Sequence, residues 1–167
     1  VRIHERTRAL AIHPHLVETD RGSLRADFVV RATEGYTPLL PGHARTLAPV
    51  HSLVLATAPI GAALWEEIGL RRRETFADHR HLIIYGQRTA DDRLVFGGRG
   101  APYRFGSQIS TDFTKDAAVF ALLRETLVEL FPMLRQVPVT HTWGGTLGIA
   151  RDWCASVGLD PATGLAW

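Results

Sequence analysis

Ile83-Ile84-Tyr85-Gly86-Gln87, then Thr89-Ala90-Asp91-Asp92, then Arg93-Leu94-Val95-Phe96-Gly97-Gly98, reads as strand, polar turn and strand. Two β-rich runs, His81 to Gln87 and Arg93 to Gly98, flanking a short polar link predict an antiparallel hairpin. Working outward, Leu47 to Ala58 is an extended apolar run ended by Pro59, and Val137 to Trp143 reads as a further strand before a break at Gly144-Gly145. A short helix is predicted from about Gly61 to Ile68. From Thr111 to Leu134 the residues Phe120, Leu123, Leu127, Leu130 and Leu134 recur at helical spacing, with Thr111 or Asp112 placed to cap the first turn. An apolar stripe has to be buried, and the sheet is the large partner available. The fold expected is therefore α+β: a mainly antiparallel sheet covered by one long helix of about Asp112 to Leu134.

The ends follow the same logic. Thr7 to Ile12, His15 to Thr19 and Leu24 to Ala32 read as strands, with Asp20-Arg21-Gly22-Ser23 as a turn. Asp27 to Ala32 is a β-rich run that meets a tight glycine turn at Thr33-Glu34-Gly35, followed by a loop bearing Pro38, Pro41 and Gly42. Asp160 to Gly164 forms a turn into Leu165-Ala166-Trp167, which reads as a new buried strand. A start without methionine and a stop on that strand lead us to expect a fragment, since native domains usually end in polar, frayed segments.

With 167 residues, 46% hydrophobic and 22% charged, the chain fits one ordinary globular core rather than a disordered, collagenous or coiled-coil protein. No apolar run approaches the roughly 20 residues of a membrane helix, and no signal-peptide core opens the chain; a cytoplasmic protein without membrane contact is expected. The net charge of +2 is spread along the chain apart from Arg71-Arg72-Arg73, so nucleic-acid binding is not expected. A single cysteine, Cys154, can form neither an internal disulfide nor a zinc site alone, and His79 with His81 lacks a third ligand, so no metal is expected. Ser52 and Ser156 lie outside any Gly-x-Ser-x-Gly elbow. Gly97-Gly98-Arg99-Gly100 precedes no helix and reads as a strand-ending turn rather than a phosphate loop. At Trp143-Gly144-Gly145 the missing side chains would let a flat ligand reach the backbone, while the indole also suits a core.

The ordered set of Ala26-Asp27-Phe28-Val29-Val30-Arg31-Ala32-Thr33-Glu34-Gly35, Val54-Leu55-Ala56-Thr57-Ala58-Pro59-Ile60, Tyr85 to Gly98, the helix ending Leu130-Phe131-Pro132, and Trp143-Gly144-Gly145 with Arg151-Asp152 and Val157-Gly158 resembles the later part of the FAD-dependent glycine and D-amino acid oxidase (DAO) family. Within it, the gamma-glutamylputrescine oxidoreductase-like branch is the most similar. The resemblance covers nearly the whole chain. It implies a substrate-binding domain like the carboxy-terminal domain of FAD-linked reductases at 37–145, returning strands of an incomplete FAD-binding domain at 1–36, and the start of the return to that domain at 146–167.

The resemblance also implies roles. Ala32, Thr33, Glu34 and Gly35 would end a strand close to FAD, and Trp143, Gly144 and Gly145 would pass near its isoalloxazine ring. Tyr85 and Gln87 would lie on the sheet that roofs the flavin, Tyr85 as a phenol against a small amine or, equally, as a core tyrosine. Leu147 stands where glycine oxidase-like relatives carry an arginine that pairs a substrate carboxylate, which favours an amine over an amino acid unless Arg151 or Arg88 supplies the anchor. Ala155 stands where relatives have proline. No catalytic base is identified. The family's Gly-x-Gly-x-x-Gly fingerprint is absent from these 167 residues, so the chain is expected to be inactive alone, not to retain FAD, and to self-associate as a dimer through Phe28 to Ala32 and Leu165 to Trp167. The parent is expected to oxidise the C–N bond of a small amine or amino acid. The alternative is a non-catalytic binding or interaction domain sharing the fold.

Overall fold

The computed structural model describes residues 1–81, 83–101, 103, 105–110 and 116–167. It divides into two compact units, one of Val1–Pro49, Arg104–Gln108 and Leu147–Trp167, the other of Val50–Tyr103 and Ile109–Thr146. Secondary structure is α+β, with antiparallel sheets and few helices.

In the first unit, β1 (Ala9–His13), β2 (Leu16–Thr19) and β3 (Gly22–Arg25) form an antiparallel meander. Here β4 (Val29–Val30) pairs in parallel with β11 (Leu165–Ala166), which pairs antiparallel with β10 (Leu159–Asp160). The two segments expected as open edges thus pair with each other. The predicted glycine turn at Thr33-Glu34-Gly35 is instead the start of a 3-10 helix, Glu34–Leu39, and the residue with positive φ (48°) is Glu34, not Gly35. Its carboxylate accepts the N–H groups of neighbouring Gly35 and of distant Gly148, bonds that offset the cost of a left-handed glutamate.

The second unit carries the large sheet, in the order β6 (Thr75–Ala77), β7 (Ile84–Arg88), β8 (Leu94–Ala101), β5 (Leu47–Thr57) and β9 (Val139–Ala150), the last two continuing into the first unit's residues. The hairpin pairs Tyr85 with Gly97 and Gln87 with Val95. Its turn is tied by Thr89, whose hydroxyl accepts the Arg93 N–H at 2.9 Å and donates to Asp91 at 2.6 Å. Two glycine expectations are corrected. Gly97 to Gly100 are strand residues of β8, and Gly144-Gly145 does not end β9, because ladder pairing with a neighbour outweighs glycine's weak strand preference.

Short α1 (Ala62–Ile68) and the 14-residue α2 (Ala117–Leu130) are the described α-helices. The latter is shorter than predicted, because Phe131 leaves helical geometry and Pro132–Leu134 forms a separate 3-10 turn. Thr111 and Asp112, the predicted caps, lie outside the described residues; Asp116 caps α2 by accepting from the N–H groups of Ala118 and Val119. Val119, Leu123 and Leu127 are the buried face, packing with Leu53, Leu55, Ile84, Leu94 and Phe96, while Leu130 is 36% exposed. Each such buried aliphatic side chain contributes about 1.5–3 kcal/mol. From α2, Arg124 Nη2 lies 2.8–3.0 Å from the carbonyl oxygens of Leu134, Arg135 and Val137, sharing its two N–H groups among three acceptors.

Candidate functional site

On β7 the alternation of a strand puts Ile84 and Gly86 toward the helix-covered core and Tyr85 and Gln87 on the other face. Tyr85 is 36% exposed. Its ring lies over Gly97, where a Cβ would meet the ring and phenol oxygen at 2.6–2.8 Å, so glycine at 97 is what lets the phenol lie flat on the sheet. The phenol oxygen sits 2.9 Å from Ser52 Oγ on β5, and Ser52 is 3.5 Å from the carbonyl oxygen of Gly98. Gln87 donates from Nε2 to the Arg73 carbonyl at 3.2 Å. Arg88 donates twice to Asp92 Oδ1, at 2.9 and 2.7 Å, and stacks 4.6 Å above the Trp65 ring.

Trp143 is half-exposed on β9, followed by half-buried Gly144 and by Gly145, which has open space where a Cβ would stand. Three strand positions separate β7 from β9, about 14 Å at ordinary spacing, so Tyr85 and Trp143 are not direct neighbours. Thr146 Oγ1 lies 3.3 Å from buried His51 Nδ1.

In the first unit, Thr33 Oγ1 lies 2.8 Å from Thr37 Oγ1, Gly35 is buried, and the Glu34 carboxylate receives Gly148 N–H at 2.8 Å. A Cβ at Gly148 would stand 2.8 Å from the Glu34 backbone and 2.7 Å from Leu47 Cδ1. Leu147 is exposed. Arg151 donates to the carbonyls of Arg45 at 2.7 Å and Leu47 at 3.5 Å, and to Ser107 Oγ at 3.4 Å. A pocket of about 460 Å³, mainly apolar, is lined by Arg8, Leu10, Thr33, Tyr36, Leu39 and Leu40. Arg31 Nη1 donates to His43 Nδ1 at 2.7 Å; burial, and next the Arg31 charge, hold the imidazole below its usual pKa.

Sequence reasoning missed Ser52, Gly97 as a ring cradle, and Gly148. Two signals were available. A polar His51-Ser52 pair interrupts an apolar strand, and counting outward from the Thr89 turn puts Tyr85 opposite Gly97.

These residues fit FAD in part. The pocket beside Thr33 suits a flat, partly apolar ring system. A diphosphate needs clustered N–H donors at a helix start, and the first turn of α2 is already filled by the Asp116 carboxylate, which repels an anion. Among the described residues no three His, Cys, Asp or Glu side chains converge as metal ligands. No described helix is long and apolar enough to cross a membrane.

Residues 1–165 match the family described as DAO, FAD dependent oxidoreductase. The chain is 33% identical over 163 residues to a probable oxidoreductase OrdL of Rhizobium meliloti (strain 1021), covering 93% of this chain and 35% of that protein. It is 27% identical over 134 residues to the gamma-glutamylputrescine oxidoreductase of Escherichia coli (strain K12), covering 79% of this chain and 29% of the other. The chain thus spans about a third of the length of the curated relatives it matches. Among solved structures, the glycine oxidase from Geobacillus kaustophilus superimposes with a TM-score of 0.71 at 22% identity, over 98% of this chain and 42% of that one, which establishes a shared fold.

Proposed function

The chain belongs to the DAO family of FAD-dependent oxidoreductases, and from that premise we propose that it is the substrate-binding part of a flavoenzyme that oxidises the C–N bond of a small amine. Residues 37–145 serve as the substrate domain, and 1–36 with 146–167 belong to the FAD-binding domain. Ala32 to Gly35 and Trp143 to Gly145 line the cofactor, and Tyr85 and Gln87 face the substrate.

One observation supports the choice of an amine over an amino acid: the arginine by which relatives hold an α-carboxylate has no counterpart at its position, and the two other candidates, Arg151 and Arg88, are already engaged. Leu147 replaces it, Arg151 is engaged by two carbonyls and Ser107, and Arg88 is engaged by Asp92 and Trp65. A carboxylate facing this site would lack the bidentate partner it needs.

FAD, bound in the complete protein, supplies acceptance of a hydride from the carbon that bears nitrogen. This chain's residues would orient that carbon, while the nitrogen loses a proton to solvent. The imine of a primary amine would then take up water, giving a carbonyl compound and ammonia.

The test is anaerobic flavin reduction in the full-length protein with matched primary amines and α-amino acids. Amines should bleach the flavin, and Leu147→Arg should shift the preference toward amino acids. Reduction by amino acids alone would reject the reading. The isolated 167-residue chain should purify colourless, and stoichiometric flavin released on its denaturation would contradict the division of labour proposed.

A further inference from the structure

Hydroxyl groups each carry one proton, and at Ser52 the geometry limits where it goes. Ser52 is 6% exposed, and among the described residues its Oγ has two hydrogen-bond partners: the Tyr85 phenol at 2.9 Å and the Gly98 carbonyl at 3.5 Å. The carbonyl can only accept. Both contacts are satisfied together only when Ser52 donates to Gly98 and Tyr85 donates its own proton to Ser52. We propose that Ser52 is a positioning residue that fixes the polarity of the Tyr85 phenol, so that this face offers a ligand a hydrogen-bond acceptor and selects an ammonium or N–H group over a carboxylate.

The Tyr85 ring is seated over Gly97, in a space that a Cβ would fill. With its proton given to Ser52, the phenol oxygen has only lone pairs to offer a ligand, and an acceptor oxygen repels a carboxylate and attracts a cationic donor. The inference rests on the amine reading above, and extends it from the absence of an anion anchor to the presence of a cation-selecting group.

Full-length flavoprotein is titrated with n-butylammonium and with butyrate, each followed by the perturbation of flavin absorbance, so that turnover is not the readout. Butylammonium should bind about tenfold more tightly than butyrate, the scale of one hydrogen bond to a charged group. Ser52→Ala, which frees the phenol proton to point outward, should bring the ratio toward one, and Ser52→Thr should restore it. Tyr85→Phe should abolish the preference, and adding Ser52→Ala to it should change nothing more. Tighter binding of butyrate by the wild type, or a ratio indifferent to Ser52→Ala, overturns the proposal. Should Ser52→Ala fail to fold, an unchanged ratio in Tyr85→Phe does the same. If amines reduce the flavin while the ratio ignores Ser52, this inference falls and the amine reading stands. If no amine reduces it while the ratio responds to Ser52, the reverse holds.

Discussion

The cluster around Glu34 and the open face around Tyr85 use similar residue types to opposite ends. In the first, both carboxylate oxygens of Glu34 are filled by backbone N–H groups, Arg151 is held by carbonyls, and Gly148 exists because a Cβ would strike Glu34. In the second, Tyr85 is more than a third exposed and Gly145 faces open space. Glycine, arginine and carboxylate mark function only where their donors and their room are not already used by the chain itself. The distinction separates residues that build a site from residues that can meet a ligand.

The sharpest way to break this contrast is to put a methyl group on each glycine. Gly148→Ala should destabilise the protein by about 1–3 kcal/mol in urea unfolding, since the neighbour is backbone and cannot rotate away. Glu34→Ala should follow at about 1–2 kcal/mol, leaving two backbone donors without their acceptor. Gly97→Ala should cost under about 1 kcal/mol, because the atoms it meets belong to a side chain that can swing off the sheet; loss of the Tyr85 contact with Ser52, read from the Tyr85 ring resonances, is its signature. Gly145→Ala should stay within about 0.5 kcal/mol while weakening flavin binding in the full-length protein. A Gly145→Ala cost equal to that of Gly148→Ala would erase the comparison.

The smallest effect is a dependence on pH. His43 has a folded-state pKa below its usual 6.5, so the unfolded chain binds the proton more readily. Stability from this group is complete above about 6.5 and declines as pH falls from there toward the folded pKa. His43→Gln should flatten that part of a urea midpoint profile between pH 7 and 5.

The hairpin was legible because its turn chemistry fixes its register: once Thr89 to Arg93 close the loop, every pair from Arg88 and Leu94 inward follows. Strand β6 was not, since the three residues Thr75-Phe76-Ala77 are too few to show a strand's alternation. The continuation of β9 through Gly144-Gly145 was hidden for a related reason, as glycine reads as a break until a neighbouring strand supplies the pairing. Membership of the family was legible from the order of segments. The roles of Glu34 and Arg151 were not, because they depend on partners more than 100 positions away, Gly148 in one case and Arg45 and Leu47 in the other.

Arg124 carries a consequence for the order of folding events. Its three acceptors lie only 10, 11 and 13 positions along the chain, and loops of that length close in about 10–100 ns. The contacts that dock β9 onto β5 span 83 positions between Thr140 and Thr57 and 95 between Thr146 and His51. Closing those long loops costs more chain entropy, and such non-local pairing is what slows a domain down. The corner between α2 and β9 is thus ready to form while the sheet is still unassembled, and gives the last strand a fixed starting point from which to zip.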